Sequence, residues 1–368
     1  MKRFRYYLLN FITWLSAIAY FISCFTPIIS PVTLWPLAFL ALGFPYLATC
    51  IILLIIVWFF NKKRIAIYLF ILLLCGFQNI GSTLAINIPQ SSTIKSESSL
   101  RIMGWNVRNF DNSALHADSA NSVRRRMFTF IQQINPDILC LQDMVEFEGP
   151  AFSSNIQALA KIGFIYHYIP SEINYYEHYG TVKVSNAIFS KMPLLNSGSV
   201  LFNDPSYPEK ILYADINFKG KNLRIYTCHF RSINLFSNNP PKPIPLHGDS
   251  SFLYTASKFE KLKVFQQEHA MQANIARQFM DASPYPILFA ADMNSVPASY
   301  AYKKTKGSLQ DAFINKGFGL GGSLDSLPKT LRIDYLFAGN EFTIENYHQD
   351  KVNLSDHYPH FMNVRWKD

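Results

Sequence analysis

Six short polar clusters stand at the ends of apolar runs in the last three quarters of this 368-residue chain: Asn106, Gln142-Asp143, His229, Asp292-Met293-Asn294, Asp334 and Asp356-His357. A run such as Pro286-Ile287-Leu288-Phe289-Ala290-Ala291 reads as a buried strand, so the carboxylate and amide that follow it emerge where several strand ends can converge. Oxygen acceptors accompanied by imidazoles, without thiolate ligands, suit a hard divalent cation such as Mg2+ or Mn2+ and chemistry on phosphate. Each cluster alone has a plainer reading. An Asp at a strand exit commonly forms a turn or caps a helix, and an Asn inside Trp105-Asn106-Val107 is commonly structural.

Positioning such clusters takes strands, and the hydrophobic pattern supplies them. Strands are predicted over 101–106, 138–142, 186–190, 211–218, 223–229, 287–291, 332–337 and 360–365, with helices over 122–134, 153–162 and 262–280. Strands outnumber helices and a helix joins the first two strands, so an α/β fold with mixed sheets is expected. About 270 residues suffice for one domain with two sheets face to face and helices outside, a four-layer α/β/β/α sandwich. Residues 231–257 lack periodicity and read as a long loop packed on the domain. Their Phe236, Leu246, Phe252 and Tyr254 offer a contact to lipid or substrate. The tyrosine-rich stretch 166–179 reads as strand and loop packing, with stacking on bases or a membrane interface as the other use.

The first 90 residues are of another kind, with no Asp or Glu among them. Three apolar runs, 8–29, 34–60 and 65–84, each approach or exceed the roughly 20 residues that cross a bilayer. Three transmembrane helices are therefore expected within 1–86, followed by a polar linker over 87–99 and a catalytic domain over 100–368. A cleaved signal peptide would leave the second and third runs unexplained. Lys2, Arg3 and Arg5 precede the first run and Lys62, Lys63 and Arg64 separate the second from the third, while the loop near 26–33 is uncharged. Basic flanks stay in the cytoplasm, so an integral membrane protein with its domain on the extracytoplasmic side is expected. The alternative, two spans with the second run interfacial, puts the domain inside. Six of the 34 basic residues fall in this segment, leaving 28 against 25 acids, a net of +3 for the remainder. That balance describes a solvated surface and gives no separate reason to expect a polyanion groove. Cys24, Cys50 and Cys75 fall in apolar runs and Cys140 and Cys228 in predicted buried strands, so no disulfide framework is expected.

Taken in order, the clusters make the stretch from about Arg101 to Trp366 resemble the endonuclease/exonuclease/phosphatase superfamily, to which deoxyribonuclease I, neutral sphingomyelinases and inositol polyphosphate 5-phosphatases belong. The resemblance rests on Met103-Gly104-Trp105-Asn106-Val107, on Pro136-Asp137-Ile138-Leu139-Cys140-Leu141-Gln142-Asp143, on Tyr226-Thr227-Cys228-His229-Phe230, on Ala291-Asp292-Met293-Asn294, on Arg332-Ile333-Asp334-Tyr335 and on Ser355-Asp356-His357-Tyr358-Pro359. It implies that Asp143, with Asn106 and Asp356, holds Mg2+ or Mn2+. It implies further that His357, oriented by Asp334, acts as general base or phosphate stabiliser. Asp292 would orient the attacking water or assist the leaving group, and Asn294 would donate to the phosphate. His229 would contact phosphoryl oxygens or donate a proton. The implied activity is phosphoester hydrolysis, on a nucleic acid or a lipid or inositol-type phosphate, at a membrane and with no protein partner.

One position departs from the family pattern. The metal-binding acid there is Glu, and Asp143 is shorter by one C–C bond of about 1.5 Å. Glu146 and Glu148 lie close enough in sequence to compensate, although both read first as loop or helix-start acids. The departure supports a second class of function, a catalytically silent membrane-tethered binding protein. Transport by the spans themselves is disfavoured, because they carry no intramembrane acid or basic pair.

Overall fold

The computed structural model describes residues 2–88, 94–111, 122–148, 154–170, 174–176, 180–202, 209–232, 258–325 and 328–367. In chain order the strands are β1 (Ala85–Ile86), β2 (Leu100–Asn106), β3 (Ile138–Glu148), β4 (Tyr166–Tyr168), β5 (Asn174–Tyr176), β6 (Gly180–Ser190), β7 (Leu194–Leu201) and β8 (Lys210–Phe218). There follow β9 (Lys221–His229), β10 (Ile287–Asp292), β11 (Gln310–Asp311), β12 (Phe318–Gly319), β13 (Asp334–Ala338), β14 (Phe342–Gln349) and β15 (His360–Trp366). One sheet has the order β14-β15-β2-β3-β6-β4, with β5 also on β6, and the other β11-β13-β10-β9-β8-β7. Each is mixed, since β2 runs parallel to β3 and β9 parallel to β10 within otherwise antiparallel sheets.

Alternation of side chains along the strands builds the layers. Leu100 and Ile102 of β2 point between the sheets, where Ile225 of β9, Leu288 of β10 and Leu336 of β13 meet them. Met103 and Trp105 point the other way, onto Met127, Phe128 and Ile131 of helix Val123–Ile134. On the opposite side, Tyr226, Cys228 and Phe289 pack against Ala273, Ala276 and Met280 of helix Lys258–Asp281. The expected α/β/β/α sandwich is the observed architecture. Gly104 has a specific task in it: a Cβ would lie 2.7 Å from His360 Nε2, so the missing side chain makes room for an imidazole between the sheets.

The predicted helices form close to their expected limits, and local caps set the ends of the first two. Ser122 caps Val123–Ile134 by accepting from the Arg125 amide, and Asn135 ends it in the left-handed conformation. Strands β7 and β14 were not resolved individually in the sequence pattern. The expected loop at 231–257 lies, from 233 onward, outside the described residues, as do 171–173 and 177–179 of the tyrosine-rich stretch.

At the N-terminus, helices Lys2–Ser23 and Pro36–Asn61 are long and apolar enough to cross a membrane. The third apolar run differs from the single straight helix expected: Lys63–Cys75 and Phe77–Thr83 meet at a 62° bend, so three spans result only if the bent pair counts as one. Gly76 is the cause. A Cβ there would lie 2.0 Å from the Tyr20 hydroxyl oxygen, and that hydroxyl donates at 2.9 Å to the Leu73 carbonyl, which also accepts from the Gly76 amide at 3.1 Å.

These helices are joined to the sandwich at one end. Thr26 Oγ1 donates to the Ala298 carbonyl (2.7 Å), Ser82 Oγ to the Pro297 carbonyl (3.3 Å), and Arg332 to the Ser82 carbonyl (2.7 Å). Val296, Ala298 and Leu331 share an apolar cluster with Tyr20, Phe44 and Trp58. Just before the segment expected to be a polar linker, β1 pairs with β12; within that segment Asn87 donates to the Ile314 and Gly317 carbonyls and Lys95 pairs with Asp137 at 2.7 Å. Filling the bend should loosen this bundle. Gly76→Val is expected to lower the thermal midpoint of the detergent-purified chain by the equivalent of about 1–3 kcal/mol of overpacking, and Tyr20→Phe by about 1 kcal/mol for the lost hydrogen bond. Differential scanning fluorimetry reads both, and an unchanged midpoint for Gly76→Val would refute this account of the bend.

Candidate active site

Strand register alone lines up most of the clusters. Asp292 at the end of β10 faces Asp334 on β13 and His229 on β9 in register, and Asn106 at the end of β2 faces Gln142 on β3. Each of these is an even-numbered or odd-numbered continuation of its strand's inward row, so the same alternation that packs Ile102, Ile225 and Leu288 turns Asn106, His229 and Asp292 toward one another. The two sheets then touch through polar groups. Asn106 Nδ2 donates to Asp143 Oδ2 and to Asp292 Oδ2, both at 3.1 Å, and Gln142 Nε2 donates to Thr227 Oγ1 at 2.9 Å.

Asp143 reaches the centre by a backbone device. Pairing of β3 with β6 slips between Leu141 and Met144, and Asp143 takes φ +49, a conformation that a β-bulge accommodates. Its Oδ1 lies 3.1 Å from His229 Nδ1. The other nitrogen of His229 is 3.4 Å from Asp292 Oδ2 and 3.1 Å from Ser232 Oγ. Asn294, also at positive φ (+45), closes a tight turn in which its backbone N–H donates to Asp292 Oδ1 at 3.0 Å. Its side chain spans the Phe230 carbonyl (3.0 Å) and His229 Nε2 (3.1 Å).

His357 forms the second imidazole centre. Its Nδ1 is 3.0 Å from Asp334 Oδ2 and 3.6 Å from Asp292 Oδ2, while Trp105 Nε1 donates to its carbonyl at 3.0 Å and fixes the backbone. Burial disfavours the charged ring, yet Asp334 and Asp292 outweigh it and push the His357 pKa up to about 10. His229, with burial likewise opposing, is held well above the ordinary imidazole range by Asp143 and Asp292. Asp292, Asp334 and His357 bring one potential ligand atom each within 4.8 Å of one another, a grouping that can hold a metal ion. Asp356 stands one step outward, half exposed, with its carboxylate 3.8 Å from Arg108 Nε.

The nearby acids have separate tasks. Glu146 accepts from the Asn155 and Ile156 amides at 2.9 and 3.1 Å and so caps helix Asn155–Lys161, which leaves it no part in replacing a longer acid at 143. The Glu148 side chain lies outside the described residues. Several residues at the site were given no role from sequence. Ser355 Oγ donates to the Asn106 carbonyl (2.8 Å), and Ser323 Oγ accepts from the Ile333 and Asp334 amides. Glu209, buried, accepts from Gln272 at 3.1 Å and feels the charge of His229. None of the three ends a legible apolar run, which was the signal that marked the others.

The profile of the Endonuclease/Exonuclease/phosphatase family matches residues 103–357, and the chain belongs to that family, whose members are generally hydrolases of phosphate esters and commonly use divalent metals. Residues 6–83 match a second profile, described only as a domain of unknown function. Among solved structures, the chain is similar to an endonuclease/exonuclease/phosphatase from Beutenbergia cavernae DSM 12333, at 17% identity with a TM-score of 0.51, covering 73% of this chain and 72% of that one. It is also similar to D. rerio TDP2 complexed with a single-strand DNA product, at 17% identity and a TM-score of 0.50, covering 73% of this chain and all of that one. These likenesses concern the fold. No curated protein sequence matches significantly.

Glu209 gives the cluster a measurable pH dependence. Burial raises its pKa from 4.5 to about 7, so the folded state holds the proton more tightly than the unfolded state. The stability it contributes is therefore fully present below about pH 4.5 and lost as pH rises through about 7. Glu209→Gln should leave stability at pH 5 nearly unchanged and raise it at pH 8 by on the order of 3 kcal/mol. Urea titrations at the two pH values check this, and equal effects at both would overturn it.

Proposed function

We propose that the chain is a membrane-anchored, divalent-metal-dependent phosphoesterase that hydrolyses a phosphodiester or phosphomonoester by attack of water. The observation that carries this reading is the convergence of Asp143, Asp292 and Asp334 with His229 and His357, joined across the two sheets by Asn106. Mg2+ or Mn2+ suits the donor set, because one amide bridges two carboxylates whose mutual repulsion a hard cation relieves. Asp143 would hold it, with Asp356 alongside and Asn106 contributing through Oδ1, which here accepts from the Arg108 amide at 3.0 Å. When bound, it supplies positive charge to phosphoryl oxygens.

The chain's own groups do the remaining work. Asp292, buried and fixed through Oδ1 by the Asn294 amide, orients a water molecule and accepts its proton. His357 serves better as a cation than as a base, since Asp334 and Asp292 hold it protonated. With Nδ1 turned to Asp334, it presents Nε2–H to the phosphoryl group. His229 supports the charge from the other side and can return a proton to the leaving oxygen, and Asn294 donates to phosphate. Tethering is supported by the two long apolar helices. The end of the bundle that touches the sandwich, at Thr26 and Ser82, is the end away from Lys62, Lys63 and Arg64, which favours a domain outside the cytoplasm.

A second reading draws on Asp143, whose carboxylate already pairs with His229: a silent, tethered binding protein of the same fold. Hydrolysis of bis-p-nitrophenyl phosphate separates the two. Wild-type protein is expected to turn over with millimolar Mg2+ or Mn2+ and to stop on chelation, whereas Asp292→Asn and His357→Ala should each lose about 10³-fold with an unchanged circular dichroism spectrum. Absence of metal-dependent turnover in the wild type would favour the silent reading. The alkaline limb offers a further check. His357 must stay protonated, so wild-type activity should persist to about pH 9 and fall near 10, and Asp334→Asn should move that limb toward about 6.5, the free imidazole value. A limb that does not move would exclude His357 as the cationic stabiliser.

A further inference from the structure

A cavity of about 1030 Å³ opens beside the catalytic cluster on the side where the helical bundle is attached. Lys316, Lys329 and Lys351 line it together with Phe318, Leu324 and Tyr358. Among the described residues none of the three ammonium groups has an ion-pair partner, and the one carboxylate in the wall, Asp325, already accepts from the Tyr358 hydroxyl at 2.8 Å. The wall of the cavity is paired to the catalytic segment through the backbone: Leu324 forms a bridge with His357, and the Asp325 amide donates to the Asp356 carbonyl at 2.9 Å.

The outer end meets the level at which a bilayer would end. Helix Pro36–Asn61 has 26 residues, about 39 Å at 1.5 Å per residue, against a hydrocarbon thickness of about 30 Å. Counted from the basic flank at Lys62, the hydrocarbon ends roughly 20 residues up the helix, so Tyr46 sits within about 8 Å of that boundary. The Tyr46 hydroxyl lies 3.0 Å from Thr330 Oγ1, which brings Lys329 and the cavity wall to headgroup depth. A second contact arrives from the ribbon β1–β12. It follows the last bundle helix by one residue, and its cross-strand pair Ile86 and Phe318 is 81% and 66% exposed, with Ile88 beyond it at 88%. Exposed apolar side chains directly after a membrane helix suit the interface, and cationic side chains behind them suit lipid phosphate.

We propose that this cavity binds the headgroup of an anionic phospholipid in the anchoring membrane and presents a lipid phosphoester to the catalytic cluster. The proposal rests on the phosphoesterase reading for its chemistry, but the binding site is testable without it. Nucleic acid, the other polyanion, would reach the cluster from solution and needs neither the apolar ribbon nor headgroup depth.

The test uses the full chain in nanodiscs of phosphatidylcholine alone or with about 30 mol % phosphatidylglycerol. Lysine acylation rates, read by mass spectrometry, should fall about threefold or more at Lys316, Lys329 and Lys351 in the anionic discs. Lys219, on the β8–β9 turn at the far end of the sheet, should not change. Replacing the three lysines by Gln should lower hydrolysis of lipid phosphoester in the disc by about tenfold or more while bis-p-nitrophenyl phosphate turnover stays within about twofold. Equal acylation in both discs overturns the proposal. Equal protection by inorganic phosphate in phosphatidylcholine discs also overturns it, in favour of a soluble phosphate site. Lipid-dependent protection without turnover of any ester supports the binding site and counts against the phosphoesterase reading alone.

Discussion

The inward-facing row of each strand is the constraint on which the rest of the molecule depends. Along β10 it runs Leu288, Ala290, Asp292; along β9, Ile225, Thr227, His229; along β2, Ile102, Gly104, Asn106. The first members form the apolar core between the sheets and the last members form the site. A carboxylate such as Asp292 has no exposed surface, and its burial is offset because Asn106, the Asn294 amide and two imidazoles converge on it. The packing that stabilises the sandwich is thus also what orders the polar groups, and a shift of one residue in any strand would send its polar residue to the outer face.

This is why so much was legible in the sequence. An apolar run ending in Asp, Asn or His identifies the strand and its exit at once, so the pattern located Asn106, His229, Asp292 and Asp334 together with the strands beneath them. Caps such as Ser122 and the left-handed Asn135 set helix limits by local chemistry. What escaped depends on contacts between distant segments. Ser355, Ser323 and Glu209 act through side-chain bonds to distant segments, with no periodic signature. The edge strand β14 was hidden by its mixed polar composition.

Asp143 sits between the two cases. Its place after Cys140-Leu141-Gln142 is readable, but the bulge that turns it inward is not, because the slip belongs to the pairing of β3 with β6 rather than to β3 itself. The positive φ partly answers the shortness of the side chain. A left-handed residue re-aims the Cβ and brings the carboxylate into contact with both Asn106 and His229. Side-chain length and backbone conformation can therefore compensate for one another where a carboxylate must reach a buried centre, and a substitution judged by side-chain length alone misses half of the geometry.

The attachment of the helical bundle extends the same logic beyond the sandwich. Its hydrogen bonds fall on Pro297 and Ala298, three and four residues after Asn294, and on Arg332, two residues before Asp334. Arg332 is buried and paired with Asp311 at 2.7 Å, and its second nitrogen reaches the Ser82 carbonyl at the end of the bent helix. Both site-bearing loops are thus held by groups from the N-terminal segment. An ionic bond as buried as Arg332–Asp311 contributes more through the geometry it enforces than through net stability. What it enforces here is the spacing between the last helix of the bundle and the strand that presents Asp334 to His357. Rotation of the bundle against the sandwich would have to break these bonds or carry the two loops with it, so the apolar segment and the catalytic cluster form one mechanical unit.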